Sequence, residues 1–247
     1  MAIAPENGGM CGAAPAARLM PLSGTSYSIE GTEAMFNYCI EKGADVISCS
    51  WGTTDQSFAL GADKIAVIAK AAKEGRGGKG CVICYAAGNE GEESLNVYGE
   101  HPDVICVGAT TCDDEHPDYS NMGPTLTVCA PSNGGAVPIL AARASWDVGL
   151  SDREGAEKWY YGDGIDRGNR YQHFGGTSSA TPLVAGICAL ILSANPNLTA
   201  KEVKQILIDT ADKVGESSDY DGMGHSLKYG FGRVNAAKAV QEALNRR

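Results

Sequence analysis

The chain has 247 residues, of which 43% are apolar and 20% are charged, and its formal net charge is −10. This composition is typical of a globular protein with one large core, so we expect a single domain over 1–247. Nucleic-acid affinity depends on concentrated basic charge, so the acidic balance argues against a nucleic-acid partner. No stretch reaches the ~20 continuous apolar residues of a membrane-spanning helix, and we therefore expect no membrane partner.

The chain contains nine cysteines, an odd number, and most of them lie inside apolar runs. Such cysteines are typical of small buried side chains rather than of a disulfide framework. Cys81 and Cys84 fall in a predicted strand, where residues three apart point to opposite faces and cannot share a metal or redox site. We expect no cofactor and no metal site; no motif supports a structural calcium ion. Unpaired thiols slightly favour a cytoplasmic location, although secretion is not excluded.

Short apolar runs alternate with helical patterns through the first half of the chain, which is typical of βαβ units. One helix is predicted over 29–40 with a stop at Gly43, and a second carries its apolar stripe from Ile65 to Ala72 and stops at Gly75. The predicted fold class is α/β, a three-layer sandwich with a mostly parallel sheet and helices on both faces. The predicted strands are 17–22, 45–50, 81–87, 104–109 and 126–130.

The stretch 132–174 is rich in Gly, Asp and aromatic residues and has no sustained period. We expect a loop insertion there, which either lines a binding cleft or has no role. Beyond it, apolar spacing predicts a helix over 178–194. A capping box, Thr199 to Glu202, begins the next helix, and Asn235 caps the last one.

The most informative motif is Gly175-Gly-Thr-Ser-Ser-Ala-Thr-Pro182, which runs directly into a predicted helix. A serine at a helix N-terminus after a tight glycine turn presents its hydroxyl to solvent, where the helix stabilises negative charge. Ser178 is therefore a candidate nucleophile. Taken alone, a Ser or Thr before a helix is more often only an N-cap.

Two predicted strands end in small polar residues. Asn89 follows the strand 81–87, where its amide can donate to an oxyanion. Ser50, Trp51 and Gly52 follow the strand 45–50, and their backbone suits pairing with an extended chain. Each signal is weak alone, because such residues also form ordinary turns.

In order and spacing, the three motifs together resemble the subtilisin-like serine peptidases. The segment Gly176-Thr-Ser-Ser-Ala-Thr-Pro182 is similar to that family's Gly-Thr-Ser-x-Ala-x-Pro motif, and Ala86-Ala-Gly-Asn89 is similar to its oxyanion segment. The resemblance implies a serine endopeptidase that acts on an extended peptide or protein through an acyl-enzyme at Ser178, with Asn89 as the oxyanion donor. It implies substrate-binding roles for Ser50, Trp51, Gly52, Ala87, Gly88, Glu90, Gly176 and Thr177. The carboxylate of Glu90 is expected to favour a basic substrate side chain.

The catalytic Asp and His of that family have no counterpart in this sequence. The family's chain order is Asp, His, Ser, and the resemblance places both partners of Ser178 before the segment 9–15. The four histidines, at positions 101, 116, 173 and 225, all follow it. We therefore expect a domain that is incomplete at its N-terminus, impaired in catalysis, and paired with a missing N-terminal segment or a second chain. His173, five residues before Ser178, is an alternative base.

Three functions remain open at the level of sequence. The first is a serine endopeptidase that needs an upstream Asp and His. The second is a low-efficiency serine esterase, because activated esters need less protonation of the leaving group than amides do. The third is a non-catalytic pseudo-peptidase that binds an extended peptide along Ser50, Trp51 and Gly52.

Overall fold

The computed structural model describes residues 11–23, 29–55, 61–142, 160–161 and 171–247. The helices are α1 (Ile29–Glu41), α2 (Ala62–Gly78), α3 (Thr177–Ala194), α4 (Ala200–Thr210) and α5 (Ala236–Asn245), and a short 3₁₀ helix spans Ser217–Asp219. The strands are β1 (Val46–Cys49), β2 (Val82–Ala86), β3 (Val104–Thr110), β4 (Val128–Pro131), β5 (Ile139–Ala142), β6 (Tyr160–Tyr161) and β7 (Tyr171–Phe174).

The first four strands form a parallel sheet in the order β1-β2-β3-β4. In this register Val46 lies opposite Val82, and Val107 opposite Val128. Every residue of β2 and β3 is buried, which agrees with their almost continuous apolar sequences, since parallel strands are covered on both faces. The predicted α/β fold with a parallel sheet is confirmed.

Helices cover both faces of this sheet. On one face, Ile105 and Val107 pack in a core with Val184 of α3 and Ile206 of α4. The core of the other face contains Ile83 and Tyr85 of β2, together with Phe36 of α1 and Ile68 of α2. Within the described part of the chain, α3 alone is long and apolar enough to cross a bilayer, but 61% of it is buried inside the protein, as in a core helix.

The predicted helix ends agree with the structure. Gly43 has a φ of +71° and follows α1, and the helical dihedrals of α2 break at Gly75. Thr199 and Glu202 form both hydrogen bonds of a capping box, and Asn235 Oδ1 accepts a hydrogen bond from the N–H of Lys238. These ends were predictable because each depends only on residues within one turn of the helix.

Three expectations need correction. Residues 17–22 form no strand, and Leu19 is 61% exposed, because strand geometry needs a hydrogen-bonded neighbour and none of the described strands pairs with this segment. Ile65 is 43% exposed, and the buried face of α2 contains Val67 instead.

The stretch 132–174 is not only loop, because β5, β7 and β6 form an antiparallel sheet in that order. Residues 143–159 and 162–170 lie outside the described residues.

Candidate active site

The carboxyl ends of the parallel strands meet at one edge of the sheet, which the N-terminus of α3 approaches. Ser50 follows β1, Asn89 lies three residues after β2, and Ser132 follows β4. Ser50 Oγ donates a hydrogen bond of 2.8 Å to the backbone oxygen of Ser178, which joins the end of β1 to α3. Ligands of parallel α/β sheets bind beyond the carboxyl ends of the strands, so this edge is the candidate site.

The side chain of Asn89 is held in one orientation by Thr177. Asn89 Oδ1 accepts hydrogen bonds from the Thr177 N–H at 2.7 Å and from Thr177 Oγ1 at 3.0 Å. A backbone N–H can only donate, so the oxygen of the amide must face Thr177. The donor Nδ2 therefore points elsewhere, and it makes no hydrogen bond with any described residue. Asn89 and Ser178 line one cavity, and the N–H of Ser178 belongs to the first helical turn, where no intrahelical acceptor exists. These two donors suit a developing oxyanion.

A cavity of about 190 Å³ opens between the ends of β1 and β2 and the start of α3. It brings together most of the predicted substrate-binding residues. Its lining consists of Ser50, Trp51, Gly52, Thr53, Thr54, Ala86, Gly88, Asn89, Glu90, Asn96, Thr177 and Ser178. Gly52 has a φ of +144° and Gly88 a φ of +116°, and a Cβ at either position would overlap a neighbouring asparagine side chain. Only glycine therefore fits at these two positions of the cavity wall.

Two predicted substrate-binding residues, Ala87 and Gly176, do not line this cavity. Ala87 is fully buried and packs against Leu95 and Leu126. Its N–H donates to the oxygen of Val107, so this group is committed to the protein interior. Gly176 is the N-cap residue of α3, two positions before Ser178.

Glu90 lines the cavity, and hydrogen bonds hold its carboxylate. Its Oε2 accepts hydrogen bonds from the N–H of Asn89 at 2.9 Å and from Asn121 Nδ2 at 2.8 Å. Asn121 Oδ1 in turn accepts from the N–H of Glu90 at 2.9 Å. A carboxylate is thus held in the wall of the cavity.

The Ser178 hydroxyl makes no hydrogen bond with the described residues, so no described side chain contacts it as a base. His101 Nδ1 accepts from the N–H of Asp103, and burial lowers the pKa of this imidazole. His116 packs edge-on against Tyr229, and burial lowers its pKa also. A ring nitrogen of His225 lies 2.8 Å from the backbone oxygen of Leu126. His173 pairs with Leu140 along β7, and its side chain lies outside the described residues.

The cysteines offer no alternative nucleophile near the cavity. All nine are free. Burial raises the pKa of Cys49 to about 12 and that of Cys39 to about 11, so both remain thiols at neutral pH. As predicted, Cys81 and Cys84 belong to different cores on opposite faces of the sheet.

A larger slot of about 970 Å³ runs along the free edge of β1. Among the described strands, β1 pairs only with β2, and the slot separates its other edge from 17–22. Phe36 of α1 and Leu192 of α3 help to close it, and Trp51 lines both this slot and the smaller cavity. Trp51 therefore lies between the slot and the smaller cavity, and the slot exposes the edge of β1 that pairs with no described strand.

The sequence did not predict a role for Asn96, whose hydrogen bonds join the ends of β1 and β2 at the cavity. Its Nδ2 donates to the backbone oxygens of Trp51 at 2.9 Å and Ala86 at 3.0 Å, and its Oδ1 accepts from the N–H of Tyr98 at 3.2 Å. Asn96 is only 4% exposed. No local pattern marks it, because its partners at the ends of β1 and β2 are brought to it by the tertiary fold.

A serine at a helix start, two donors without a partner among the described residues and a cavity at the carboxyl edge of a parallel sheet match the architecture of an α/β serine hydrolase. The sequence model of the Subtilase family matches residues 1–232, and the chain belongs to this family. The predicted relationship to the subtilisin-like peptidases is thereby confirmed.

Several relatives carry protease names. The calcium-dependent protease of Trichormus variabilis is 39% identical over an alignment of 257 residues, which covers 96% of this chain and 38% of the relative. The kexin of Candida albicans is 32% identical, with coverages of 90% and 22%. The chain thus spans less than two fifths of the length of these curated relatives.

Solved structures show the same fold. A lanthipeptide protease matches with a TM-score of 0.68 at 21% identity, covering 90% of this chain and 68% of that chain. The self-cleaved protease domain of PatA matches with a TM-score of 0.65 at 22% identity, with coverages of 88% and 69%. At these identities the likeness supports the fold alone.

Proposed function

We propose that this chain carries the nucleophile and the oxyanion donors of a serine endopeptidase. Ser178 Oγ attacks the carbonyl carbon of a peptide bond and loses its proton to a base, and the acyl-enzyme forms as the protonated amine departs. Asn89 Nδ2 and the Ser178 N–H donate to the oxyanion of the tetrahedral intermediate. The observation that carries this proposal is the pair of Thr177 hydrogen bonds, which leaves Asn89 Nδ2 without a partner among the described residues in the cavity that Ser178 also lines.

The proposed substrate is an extended peptide that pairs with the backbone of Ser50, Trp51 and Gly52. This segment continues β1 beyond its register with β2 and lines the cavity, where Asn96 Nδ2 already holds the backbone oxygen of Trp51 in place. Pairing by the main chain gives affinity, and the cavity accepts one side chain and gives specificity.

We expect substrates with Lys or Arg in this cavity to be preferred over those with Asp or Glu, because the Glu90 carboxylate attracts a cation and repels an anion. In Glu90→Gln the preference, measured as a ratio of kcat/KM values over matched peptides, should fall by about tenfold. Glu93→Gln, which changes an acidic residue outside the lining, is the matched control. Equal ratios for Glu90→Gln and the unmodified chain would contradict this assignment.

The base for Ser178 is proposed to come from a separate segment that fills the slot along β1. A strand that extends the parallel sheet there would end at the same edge as β1 and β2, which places its last residues beside Ser178. The apolar lining from Phe36, Cys39 and Leu192 fits a buried strand. We propose that the occupant corresponds to the part of the related proteases that precedes the matched region. Occupation by a second copy of this chain would instead appear as a dimer.

The proposed chemistry needs no cofactor, because acyl transfer to serine uses only the side chains and the backbone. Two of the relatives are named calcium-dependent protease. In the described ranges, however, no group of three or more His, Cys, Asp or Glu side chains could hold a metal ion. No step of the proposed reaction is assigned to a metal ion.

A serine-directed fluorophosphonate tests the proposal in the chain as it stands. We expect slow labelling at Ser178, since oxyanion donors and binding alone retain about 10³–10⁴-fold catalysis over water when a catalytic partner is absent. Ser178→Ala should abolish this labelling, which is measured by mass spectrometry. Ser193→Ala, on an exposed turn of the same helix, should leave it unchanged.

The same experiment separates the other functions. No labelling at Ser178 would support a peptide-binding module instead. The serine esterase remains a second candidate because the Ser178 hydroxyl has no base among the described residues, and turnover of activated esters but not of peptides would support it.

A further inference from the structure

Gly176 holds an unusual backbone conformation directly before the nucleophile turn. Its φ is +73°, and a Cβ at this position would lie 3.0 Å from Asn89 Oδ1. A residue without a side chain cannot be fixed by packing of its own, so its conformation depends on hydrogen bonds to its backbone. The direction in which α3 begins, and with it the placement of Ser178, depends on these bonds.

Two consecutive residues after β4 hold both backbone groups of Gly176. Asn133 Oδ1 accepts a hydrogen bond from the Gly176 N–H at 2.8 Å, and Ser132 Oγ donates to the Gly176 oxygen at 2.7 Å. The Asn133 side chain also lies against Gly175, where any Cβ would overlap it. The turn is thus held from the sheet side by side chains that touch neither the cavity nor the oxyanion donors.

Ser132 and Asn133 are themselves fixed. Ser132 is 1% exposed, its N–H donates to the oxygen of Thr110 at 2.8 Å, and its Oγ lies 2.7 Å from Ser179 Oγ. The Tyr119 hydroxyl donates to the backbone oxygen of Asn133 at 3.0 Å. Burial raises the pKa of Tyr119, which keeps this donor protonated at neutral pH. The network links the ends of β3 and β4 to the start of α3.

We propose that Ser132 and Asn133 are positioning residues for Ser178, which act by fixing the Gly176 backbone. The inference rests on the proposed function, because placement of Ser178 matters for reaction only if its hydroxyl attacks. A displacement of about 1 Å can cost about 10²-fold in rate. Removing either contact should therefore slow the reaction of Ser178 more than it weakens binding.

The test compares Asn133→Ala, Ser132→Ala and Asn133→Asp in the full chain by two measurements. The first is amide hydrogen exchange at Gly176, and the second is the labelling of Ser178 by a fluorophosphonate, resolved into kinact and KI. Asn133→Ala should speed exchange at Gly176 at least tenfold and lower kinact about 10- to 100-fold with KI unchanged. Ser132→Ala should lower kinact in the same way. Asn133→Asp keeps an oxygen that accepts from the Gly176 N–H, so exchange at Gly176 should be as slow as in the unmodified chain.

Asn197→Ala is the matched control, because that exposed side chain accepts only a 3.3 Å hydrogen bond from Lys79. Wild-type kinact and Gly176 exchange in Asn133→Ala would overturn the inference, as would an equal fall of kinact in Asn197→Ala. If the unmodified chain is not labelled, the proposed activity of the isolated chain fails, and the exchange measurement still decides whether Asn133 fixes Gly176.

Discussion

Fusion of an upstream segment to this chain is expected to raise kcat for a peptide amide by about 10⁶-fold. The segment is the part of the Trichormus variabilis relative that precedes the matched region, which the family resemblance implies to carry an Asp and a His. The magnitude is the one known for subtilisin, where loss of the His alone costs about as much as loss of the whole triad. The physical reason is that a serine hydroxyl is a weak nucleophile until a neighbouring base removes its proton.

The same fusion should also be more stable. If the added segment fills the slot of about 970 Å³ along β1, the free energy of unfolding in urea and its dependence on urea should both increase, because more surface is buried. Two controls are the fusion with its His replaced by Ala and the fusion that carries Ser178→Ala. Peptide hydrolysis by the unfused chain at the rate of the fusion would show that the base lies within this sequence. His173→Ala would then be the next variant to measure.

Asn89→Asp should lower kcat of the active fusion by at least about 10²–10³-fold, with KM nearly unchanged. The range is again that known for the corresponding donor of subtilisin. The aspartate keeps an acceptor for the two hydrogen bonds from Thr177, so the turn before Ser178 retains its geometry. It removes the Nδ2 donor and adds a negative charge where the oxyanion develops.

Asn89→Leu serves as the companion variant, since it removes the donor without adding charge but also breaks both contacts with Thr177. If electrostatic stabilisation is the main role of Asn89, Asn89→Asp should be at least as slow as Asn89→Leu. A larger loss in Asn89→Leu, together with a fall in the free energy of unfolding, would show that Asn89 acts mainly by bracing the turn. Asn197→Ala should match the unmodified fusion in both measurements.

The local features of the fold were predictable because they depend on neighbours in sequence. The capping box from Thr199 to Glu202 and the cap at Asn235 are made within a single helical turn. The apolar runs that became β2 and β3 predicted buried parallel strands, because side chains on both faces of such strands must be apolar. The prediction of a strand over 17–22 was wrong for the opposite reason. The apolar pattern of this segment is typical of a strand, but a strand forms only against a hydrogen-bonded partner.

The sequence by itself determined the family, the α/β class and the two motifs that contain Ser178 and Asn89, because the order and spacing of these motifs are readable along the chain. Only the tertiary structure decided how they act together. The hydrogen bonds that orient the Asn89 amide, those donated by Asn96 Nδ2 and those of Ser132 and Asn133 with Gly176 join residues that lie 10 to 88 positions apart. Hydrogen bonds of this kind leave no local pattern, since each depends on where the strands end in space.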